Sequence, residues 1–281
     1  MISIRRRIVI AIFLLIILLC VFINTKVKEG LYETKVRVIS YENQEDNENK
    51  QKLEKILKHY DYDYEFVGQG ESWKGFGNKF KKYQEYITNT DLNDEDILII
   101  IDSRDVYVNR NSDEIASTFK QFYNKNVGDL DNNLKIVFST ERACCTPGVE
   151  DSEKTEMKKI AIDVDTNNMK DNDKYHLNAG MCMGYVKAFK QNFLKIDMDY
   201  HDDDQTEITH YWMKNNDIIL LDYNETFFSN AHGFGNEDNL NGCPYVKKNK
   251  QFVIKDTDIR PFFIQTPAKY WACYNYLYKD E

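Results

Sequence analysis

The chain has 281 residues, of which 42% are hydrophobic and 14% aromatic, so it can bury the core of one large domain or two small ones. Its formal net charge is −9, and no basic block lies outside the first few residues, which excludes a nucleic-acid-binding surface. An acidic protein of this kind needs a local cation wherever it holds an anionic ligand.

An apolar segment near the N-terminus predicts a membrane anchor. Three arginines at residues 5–7 precede an uninterrupted apolar run at residues 8–23. As a helix this run spans about 24 Å, slightly less than a typical bilayer core. It is either a signal-anchor helix or the apolar part of a cleaved signal peptide, and we favour the anchor because no small-x-small cleavage site follows it.

The same segment sets the expected topology. Because the arginines precede the apolar run, the N-terminus is expected in the cytoplasm and the rest of the chain in the lumen of the ER or Golgi; cleavage would instead give a secreted protein. The triplet Asn224-Glu225-Thr226 is a glycosylation sequon compatible with that location. The predicted organisation is a cytoplasmic tail at 1–7, a transmembrane helix at 8–23, a stem at 24–34 and one domain at 35–281.

From residue 35 onwards, segments of strand and helix type alternate along the chain. The strongest strand signal is residues 97–101, which are apolar at every position; such a strand is buried on both faces, as in a parallel sheet covered by helices. This alternation predicts an α/β layered fold. The expected strands lie at 36–40, 64–68, 97–101, 134–139 and 218–221, and the expected helices at 45–60, 79–87 and around Phe119.

Two aspartates follow the most apolar of these strands. Asp102 and Asp105 come directly after residues 97–101, and ligands of open α/β sheets bind beyond the carboxyl ends of strands. Two carboxylates repel a diphosphate, but a shared Mg²⁺ or Mn²⁺ would join carboxylate and phosphate oxygens. The alternative interpretation is structural, in which Asp102 ends the strand and Asp105 begins a turn.

Two further polar segments are candidates for chemistry. Residues 202–204 are consecutive aspartates, which either begin a helix whose dipole favours them or present a carboxylate to a sugar or an acceptor hydroxyl. Residues 177–180 read Leu-Asn-Ala-Gly, and small residues let the backbone approach a ligand closely. By itself this second segment signals only a turn.

The cysteines are compatible with an oxidising compartment. Of the six, Cys20 lies in the apolar segment, and the five that remain leave at least one unpaired thiol if others form disulfides. Adjacent Cys144 and Cys145 are not expected to bridge each other. Cys182 lies between two methionines and is expected to be a buried apolar residue.

The order of these segments resembles the glycosyltransferase region of the procollagen lysyl hydroxylases, and more loosely the collagen galactosyltransferases. Residues 68–75 (GQGESWKG) are similar to that family's Gly-x-Gly-Glu-x-Trp segment, and residues 102–106 (DSRDV) to its Asp-Ser-Tyr-Asp-Val. In the same way, residues 138–144 (FSTERAC) match Phe-Ser-Ala-Glu…Cys, residues 177–185 (LNAGMCMGY) match Leu-Asn-Ser-Gly…Gly-Tyr, and residues 202–209 (DDDQTEIT) match Asp-Asp-Asp-Gln…Thr. Together and in order, these matches are far more specific than any one of them.

The resemblance implies a GT-A-type, Rossmann-like glycosyltransferase fold with a mixed central sheet, a UDP-sugar donor and Mn²⁺. It implies that Asp102 and Asp105 bind the metal. Asn178, Asp203 and Asp204 would lie near the transferred sugar and the acceptor, with Asp203 or Asp204 as the catalytic carboxylate. The residues implied to bind the donor are Trp73, Lys79, Asp102, Arg104 and Lys269.

Two positions depart from the family's pattern. The tyrosine between the two metal aspartates is Arg104 here, and an arginine can stack on a base or pair with a phosphate. The family's late His-x-Asn-Gly-Pro-Thr-Lys segment corresponds to residues 263–269, which puts Phe263 at the metal-binding histidine. Either water fills that ligand position, or His232 replaces it, or metal affinity is lost. Lys269 is retained and is expected to neutralise the departing diphosphate.

The sequence thus predicts an enzyme that moves glucose from UDP-glucose, or galactose from UDP-galactose, to hydroxylysine or galactosyl-hydroxylysine of a collagen-like protein. The alternative, prompted by Phe263 and Arg104, is a catalytically inactive module that binds glycan or collagen at a membrane. We expect no lysyl hydroxylation.

Overall fold

A computed structural model of the chain describes residue 14 and residues 34–127, 134–143, 148–164, 174–233, 240–267 and 270–279. The described strands are β1 (Val36–Tyr41), β2 (Asp63–Val67), β3 (Ile97–Asp102), β4 (Val106–Val108), β5 (Ile136–Glu141), β6 (His176–Tyr185), β7 (Ile219–Leu221), β8 (Phe228–Asn230), β9 (Tyr245–Lys248), β10 (Gln251–Ile254) and β11 (Phe263–Gln265). The described helices are α1 (Glu48–His59), α2 (Phe76–Asn89), α3 (Ser112–Val127), α4 (Asp151–Val164), α5 (Val186–Asn192), α6 (Asp204–Lys214) and α7 (Trp271–Leu277).

Six of the strands form a mixed central sheet in the order β2-β1-β3-β6-β5-β7. β1 is parallel to β2 and β3, and β5 is parallel to β7, which confirms the α/β class. β6 is antiparallel to both β3 and β5, so β3 does not have parallel neighbours on both sides as its apolar sequence suggested. Because of this reversal, the first half of β6 lies beside the carboxyl ends of β3 and β5.

The Leu-Asn-Ala-Gly segment lies inside β6 and not in a turn. Ser139 of β5 pairs with Asn178, whereas the preceding Phe138 pairs with Cys182, so the register shifts within this segment. Its neighbours on both sides are core strands, and the segment itself is largely buried. Small residues here therefore mark a bulge in a central strand rather than a chain reversal.

Helix starts are set by the residues that precede them. The Asn47 side chain accepts hydrogen bonds from the amides of Asn49 and Lys50 at 3.0 and 3.1 Å, so α1 begins at residue 48 and not at 45. Gly75 has a φ of 122°, which only glycine adopts readily, and it turns the chain into α2. α2 consequently begins three residues earlier than the predicted position 79, and its first turn includes Lys79.

A smaller sheet in the order β4-β11-β8 follows the carboxyl end of β3 in space. β11 is antiparallel to β4 and parallel to β8, so Gln265 is paired with Val106 on one side and Asn230 on the other. Val106 directly follows Asp105, and this register therefore brings Gln265 next to the two aspartates. Phe263, two residues earlier in the same strand, is fully buried and packs its ring 5.5 Å from that of Tyr62.

Asp222 ties the loop between β7 and β8 to the core. Its buried carboxylate accepts hydrogen bonds from the amides of Thr226, Phe227 and Phe228 at 3.0, 2.7 and 2.9 Å. Burial raises the pKa of Asp222 to about 6 despite these bonds. We expect Asp222→Ala to lower the free energy of unfolding by about 3 kcal/mol, because it leaves buried amides without an acceptor. Urea denaturation measures this, and exposed Asp217→Ala, expected to change stability by less than about 0.5 kcal/mol, is the control.

Two cysteine predictions can be compared with the structure. Cys243 and Cys273 form a disulfide that joins the segment before β9 to α7. Cys182 is buried and unpaired, which confirms its expected role as an apolar residue.

Some predictions concern other parts of the chain. The expected anchor at residues 8–23 lies outside the described residues apart from Leu14, and so do the tail at 1–7, almost all of the stem, Cys144, Cys145 and Lys269. Among the helices that are described, none combines the length and the apolar character needed to cross a bilayer.

Candidate active site

Lys79 lies between two carboxylates at the carboxyl-terminal edge of the central sheet. Its Nζ is 2.9 Å from Asp102 Oδ1, at the end of β3, and 2.8 Å from Asp204 Oδ2, at the start of α6. Its side chain is only 10% exposed. Burial lowers the pKa of Lys79, but the two facing carboxylates outweigh burial and hold that pKa well above its ordinary value. Lys79 is therefore a charged ammonium that bridges two elements of the site.

Asp203 and Asp204, in the run of aspartates at 202–204, make different contacts. Asp203 Oδ1 accepts from the backbone amide and the hydroxyl of Thr206, each at 2.8 Å, and so caps α6. Asp204, the next residue, is buried and faces Lys79. Burial raises the pKa of Asp204, and the ammonium group of Lys79 opposes that rise. Of the two carboxylates that the sequence offered for catalysis, the structure favours Asp204.

Gln265 connects the two predicted metal ligands. Its Nε2 donates to Asp102 Oδ2 at 3.0 Å and lies 3.4 Å from both carboxylate oxygens of Asp105. Asn230 Nδ2 donates to Gln265 Oε1 at 2.9 Å, and Asn230 Oδ1 accepts from the backbone amide of His232 at 2.8 Å. Because a backbone amide can only donate, this series of bonds orients both side-chain amides and points the NH₂ group of Gln265 at the aspartates.

The Asp102 and Asp105 pair fits a divalent cation. Burial and the neighbouring Asp102 carboxylate raise the pKa of Asp105 to about 8, although the hydrogen bond from Gln265 and the charge of Lys79 both oppose this rise. Mg²⁺ and Mn²⁺ are commonly held by one or two carboxylates together with substrate phosphates and water. The described residues contain no group of three or more His, Cys, Asp or Glu side chains placed to hold a metal.

Phe263 is not the residue of β11 that reaches the two aspartates. Phe263 lies in the core, and it is Gln265 on the same strand that reaches the aspartates. His232, the other candidate for a third metal ligand, has its Nδ1 3.1 Å from Glu141 Oε2. The three alternatives for the remaining ligand position all stay predictions.

Gly180 of β6 makes room for these side chains. A Cβ added there would lie 2.4 Å from Gln265 Nε2 and 2.7 Å from Asp102 Oδ2, closer than atoms can approach. We expect Gly180→Ala to fold but to displace both side chains and to lower glycosyltransfer by about 10-fold to 100-fold. Gly184→Ala on the same strand is the matched control, since its Cβ would meet a Phe189 ring carbon at 3.3 Å. UDP release and thermal unfolding of both variants test this, and equal activities would contradict it.

A cavity of about 450 Å³ opens beside the aspartates. One of its walls is aromatic: the Trp73 ring lies 5.8 Å from that of Tyr41 and 5.3 Å from that of Phe76. Trp73 and Phe76 remain 49% and 48% exposed, although large aromatic side chains are usually buried. The wall therefore offers flat apolar surface to a planar ligand, and Lys79, Asp102 and Asp105 line the same cavity.

Arg104 closes another side of this cavity. Its Nε and Nη2 donate to the two carboxylate oxygens of Glu42 at 2.8 and 2.7 Å, and Ser103 Oγ donates to Glu42 Oε2 at 3.0 Å. Burial raises the pKa of Glu42, but the hydrogen bonds and charge of Arg104, together with hydrogen bonds from the Gln44 amide and Ser103, outweigh burial and lower that pKa. This bidentate pair holds the guanidinium plane in place while leaving the Arg104 side chain 46% exposed.

A buried carboxylate supports Asn178 and α6. Glu141, at the end of β5, is 2% exposed and accepts from Gln205 Nε2 at 2.6 Å and from Asn178 Nδ2 at 3.3 Å. Gln205 directly follows Asp204, and Asn178 Oδ1 accepts from the backbone amide of Gly180 at 3.1 Å. Asn178 thus belongs to a network that also fixes the start of α6.

Five of the predicted residues line one cavity, namely Trp73, Lys79, Asp102, Arg104 and Asp105. Asp204 pairs with Lys79 of this lining, and Asn178 lies in the adjoining network. Three contributors were not predicted as site residues, namely Glu42, Glu141 and Gln265. Two of them had a sequence signal: Glu42 and Glu141 each end an apolar strand, as Asp102 does. Gln265 follows only a short apolar stretch, and its role depends on the pairing of β11 with β4.

One comparison with known proteins identifies a family. A family model described as the PLOD GT domain matches residues 33–278. No curated protein matches the chain significantly. Among solved structures, a glycosyltransferase involved in the glycosylation of the major capsid of PBCV-1 is 12% identical, with a TM-score of 0.46, over 86% of this chain and 98% of that one. The apo structure of WbbM, a bifunctional glycosyltransferase, is 13% identical, with a TM-score of 0.39, over 85% of this chain and 46% of that one.

Proposed function

The chain belongs to the PLOD glycosyltransferase-domain family, and from that premise we propose that it has a GT-A-type fold and transfers glucose or galactose from UDP-glucose or UDP-galactose. The proposed acceptor is hydroxylysine or galactosyl-hydroxylysine in a collagen-like protein, and the proposed metal is Mn²⁺. The observation that carries the proposal is the bridge of Lys79 between Asp102 and Asp204, beside Asp105 and an aromatic-walled cavity.

The cavity divides naturally into a base end and a phosphate end. Trp73 and Phe76 supply exposed ring surface on which uracil can stack, and the Arg104 guanidinium, held by Glu42, supplies a second flat and charged surface. Asp102 and Asp105 lie at the other end, where they would hold the metal. A divalent cation bound there would neutralise the negative charge that develops on the departing diphosphate.

Lys79 and Asp204 act on either side of the bond that breaks. The Lys79 ammonium, charged and shielded from water, is placed to stabilise the same diphosphate electrostatically. Asp204 is oriented by Lys79 and by the start of α6, so its carboxylate can hold a sugar hydroxyl or stabilise the oxocarbenium-like centre. Asn178, placed by Glu141, would contact the sugar from the opposite strand. The acceptor hydroxyl attacks the anomeric carbon, and UDP leaves.

The test is UDP release by the full chain, supplied with UDP-glucose or UDP-galactose and a hydroxylysine-containing peptide. We expect release from one donor with Mn²⁺ and none after chelation, with sugar found on the peptide. Release that is unchanged by chelator would contradict the metal assignment. No release from either donor, in a folded sample, would favour the inactive binding module.

We also propose that residues 8–23 anchor the domain in the ER or Golgi membrane with its C-terminal part in the lumen. The support is the order of the basic and apolar segments in the sequence. Protease protection in sealed microsomes tests it, because a lumenal domain resists protease until detergent is added. Digestion without detergent would overturn this topology.

A further inference from the structure

A second cavity, of about 370 Å³, lies on the other side of the segment that carries Trp73. Its lining is polar and contains three lysines and two glutamates, together with three other residues: Lys74, Lys81, Lys82, Glu71, Glu85, Ser72, Asn78 and the half-exposed Tyr200. The catalytic arrangement above uses none of these side chains. The lysines outnumber the glutamates in this lining, although the whole chain has a net charge of −9.

The positive charge of this cavity is only partly balanced. Lys82 pairs with Glu71 at 2.7 Å and with Glu85 at 2.9 Å. Lys74 and Lys81 form no ion pair with any residue that the structure describes. The ammonium groups of these two lysines lie 5.8 and 4.3 Å from the centre of the same ring, that of Tyr200. Two like charges are thus held near one ring, an arrangement that an anion would stabilise.

The backbone of Tyr200 packs closely against the start of α2. The amide of Asn78 donates to the carbonyl oxygen of Tyr200 at 3.3 Å. A Cβ on Gly75 would lie 2.4 Å from that same oxygen, and a Cβ on Gly77 only 1.8 Å from the carbonyl oxygen of Asp199. Such an approach is possible only with glycine, so the position of Tyr200 relative to α2 is fixed by contact.

Both walls of the cavity continue into the candidate active site. The stretch of chain that carries Lys74 and Lys81 also carries Lys79, which lines the first cavity. The segment that carries Tyr200 leads directly to Asp203 and Asp204. A ligand long enough to span several residues could therefore occupy this cavity and present a group at Asp204. The ring of Tyr200 already has ammonium groups over it, so it offers a carboxylate partners rather than a clear face for a sugar.

We propose that this cavity, named here the Lys74–Lys81 site, binds an acidic side chain, Asp or Glu, of the acceptor polypeptide. The assignment rests on the proposed function, since it concerns the acceptor of the same transfer. The site would select polypeptides that carry a carboxylate near the modified hydroxyl. It uses charges at a partly exposed surface, so its contribution weakens as salt screens them.

The test compares two fluorescent hydroxylysine peptides that differ only by Glu or Gln on either side of the hydroxylysine. Anisotropy with the full chain in low salt is expected to give about fivefold tighter binding of the Glu peptide. The double variant Lys74→Gln, Lys81→Gln is expected to erase that difference, and the KM for the UDP-sugar should not change. Lys158→Gln is the matched control, because Lys158 also lies over a tyrosine ring, at 5.8 Å from Tyr175.

The outcomes separate this site from the proposed function. Charge-dependent peptide binding without any UDP release would support the Lys74–Lys81 site and contradict the proposed transferase function. Transfer to both peptides with equal affinity would leave the transferase standing and overturn the site. Competition by a uronic-acid oligosaccharide that depends on Lys74 and Lys81, with no Glu preference among peptides, would also overturn the polypeptide assignment.

Discussion

Asp102→Asn is expected to lower metal-dependent UDP release by about 1,000-fold or more. Asp102 contacts two other residues of the site: one carboxylate oxygen pairs with Lys79, and the other accepts a hydrogen bond from Gln265. The substitution keeps the side-chain shape but removes the charge that both a cation and Lys79 require. Initial rates at saturating Mn²⁺ measure the loss, and titration of Mn²⁺ by its electron paramagnetic resonance signal measures metal affinity separately.

The exposed Asp113→Asn provides the control for this substitution, since it makes the same chemical change in the first turn of α3. Its rate and its Mn²⁺ affinity should equal those of the unmodified protein. Near-normal turnover by Asp102→Asn would remove Asp102 from the metal site. Normal Mn²⁺ affinity with lost turnover would instead limit Asp102 to holding Lys79.

Lys79→Met is expected to reduce kcat by about 100-fold. The substitution keeps most of the side-chain volume but removes a buried ammonium, which leaves Asp102 and Asp204 facing each other without a cation between them. Burial already raises the pKa of Asp204, and that pKa should rise further once Lys79 no longer opposes it. As pH falls, Lys79→Met should therefore lose UDP release at a higher pH than the unmodified protein does.

Lys82→Met is the matched control on the same helix. Lys82 also pairs with two carboxylates, but those of Glu71 and Glu85, which lie outside the catalytic arrangement. The rate of UDP release by Lys82→Met should change by less than about threefold, because ion pairs near the surface contribute little energy. A second check is Asp204→Asn combined with Lys79→Met, whose losses should be less than additive because both residues belong to one pair. Independent losses would contradict the pairing.

Asp203→Ala separates the two neighbouring aspartates. Because Asp203 caps α6 through Thr206, its removal should lower the free energy of unfolding by about 1 kcal/mol. The effect on turnover should be far smaller than that of Asp204→Asn, which removes the carboxylate facing Lys79. If folded Asp203→Ala loses more turnover than Asp204→Asn, then Asp203 and not Asp204 is the catalytic carboxylate.

The sequence alone determined the fold class and the main carboxylates of the site. The all-apolar residues 97–101 could only form a strand buried on both faces, and the two aspartates that follow then had to lie at a carboxyl edge where ligands bind. The ordered motifs likewise identified a glycosyltransferase, since each motif fixes residue types at a set spacing. Such features are local along the chain, which is why they can be read without coordinates.

Only the tertiary structure decided how distant segments meet. Turn-like composition at 177–180 gave no indication that Asn178 and Gly180 lie in a central strand, because strand pairing overrides local propensity. The identity of the residue facing the aspartates, Gln265 and not Phe263, depended on the register of β11 between β4 and β8. A register shift of one residue would turn a different side chain to the site, and register is set by pairing partners far apart in sequence.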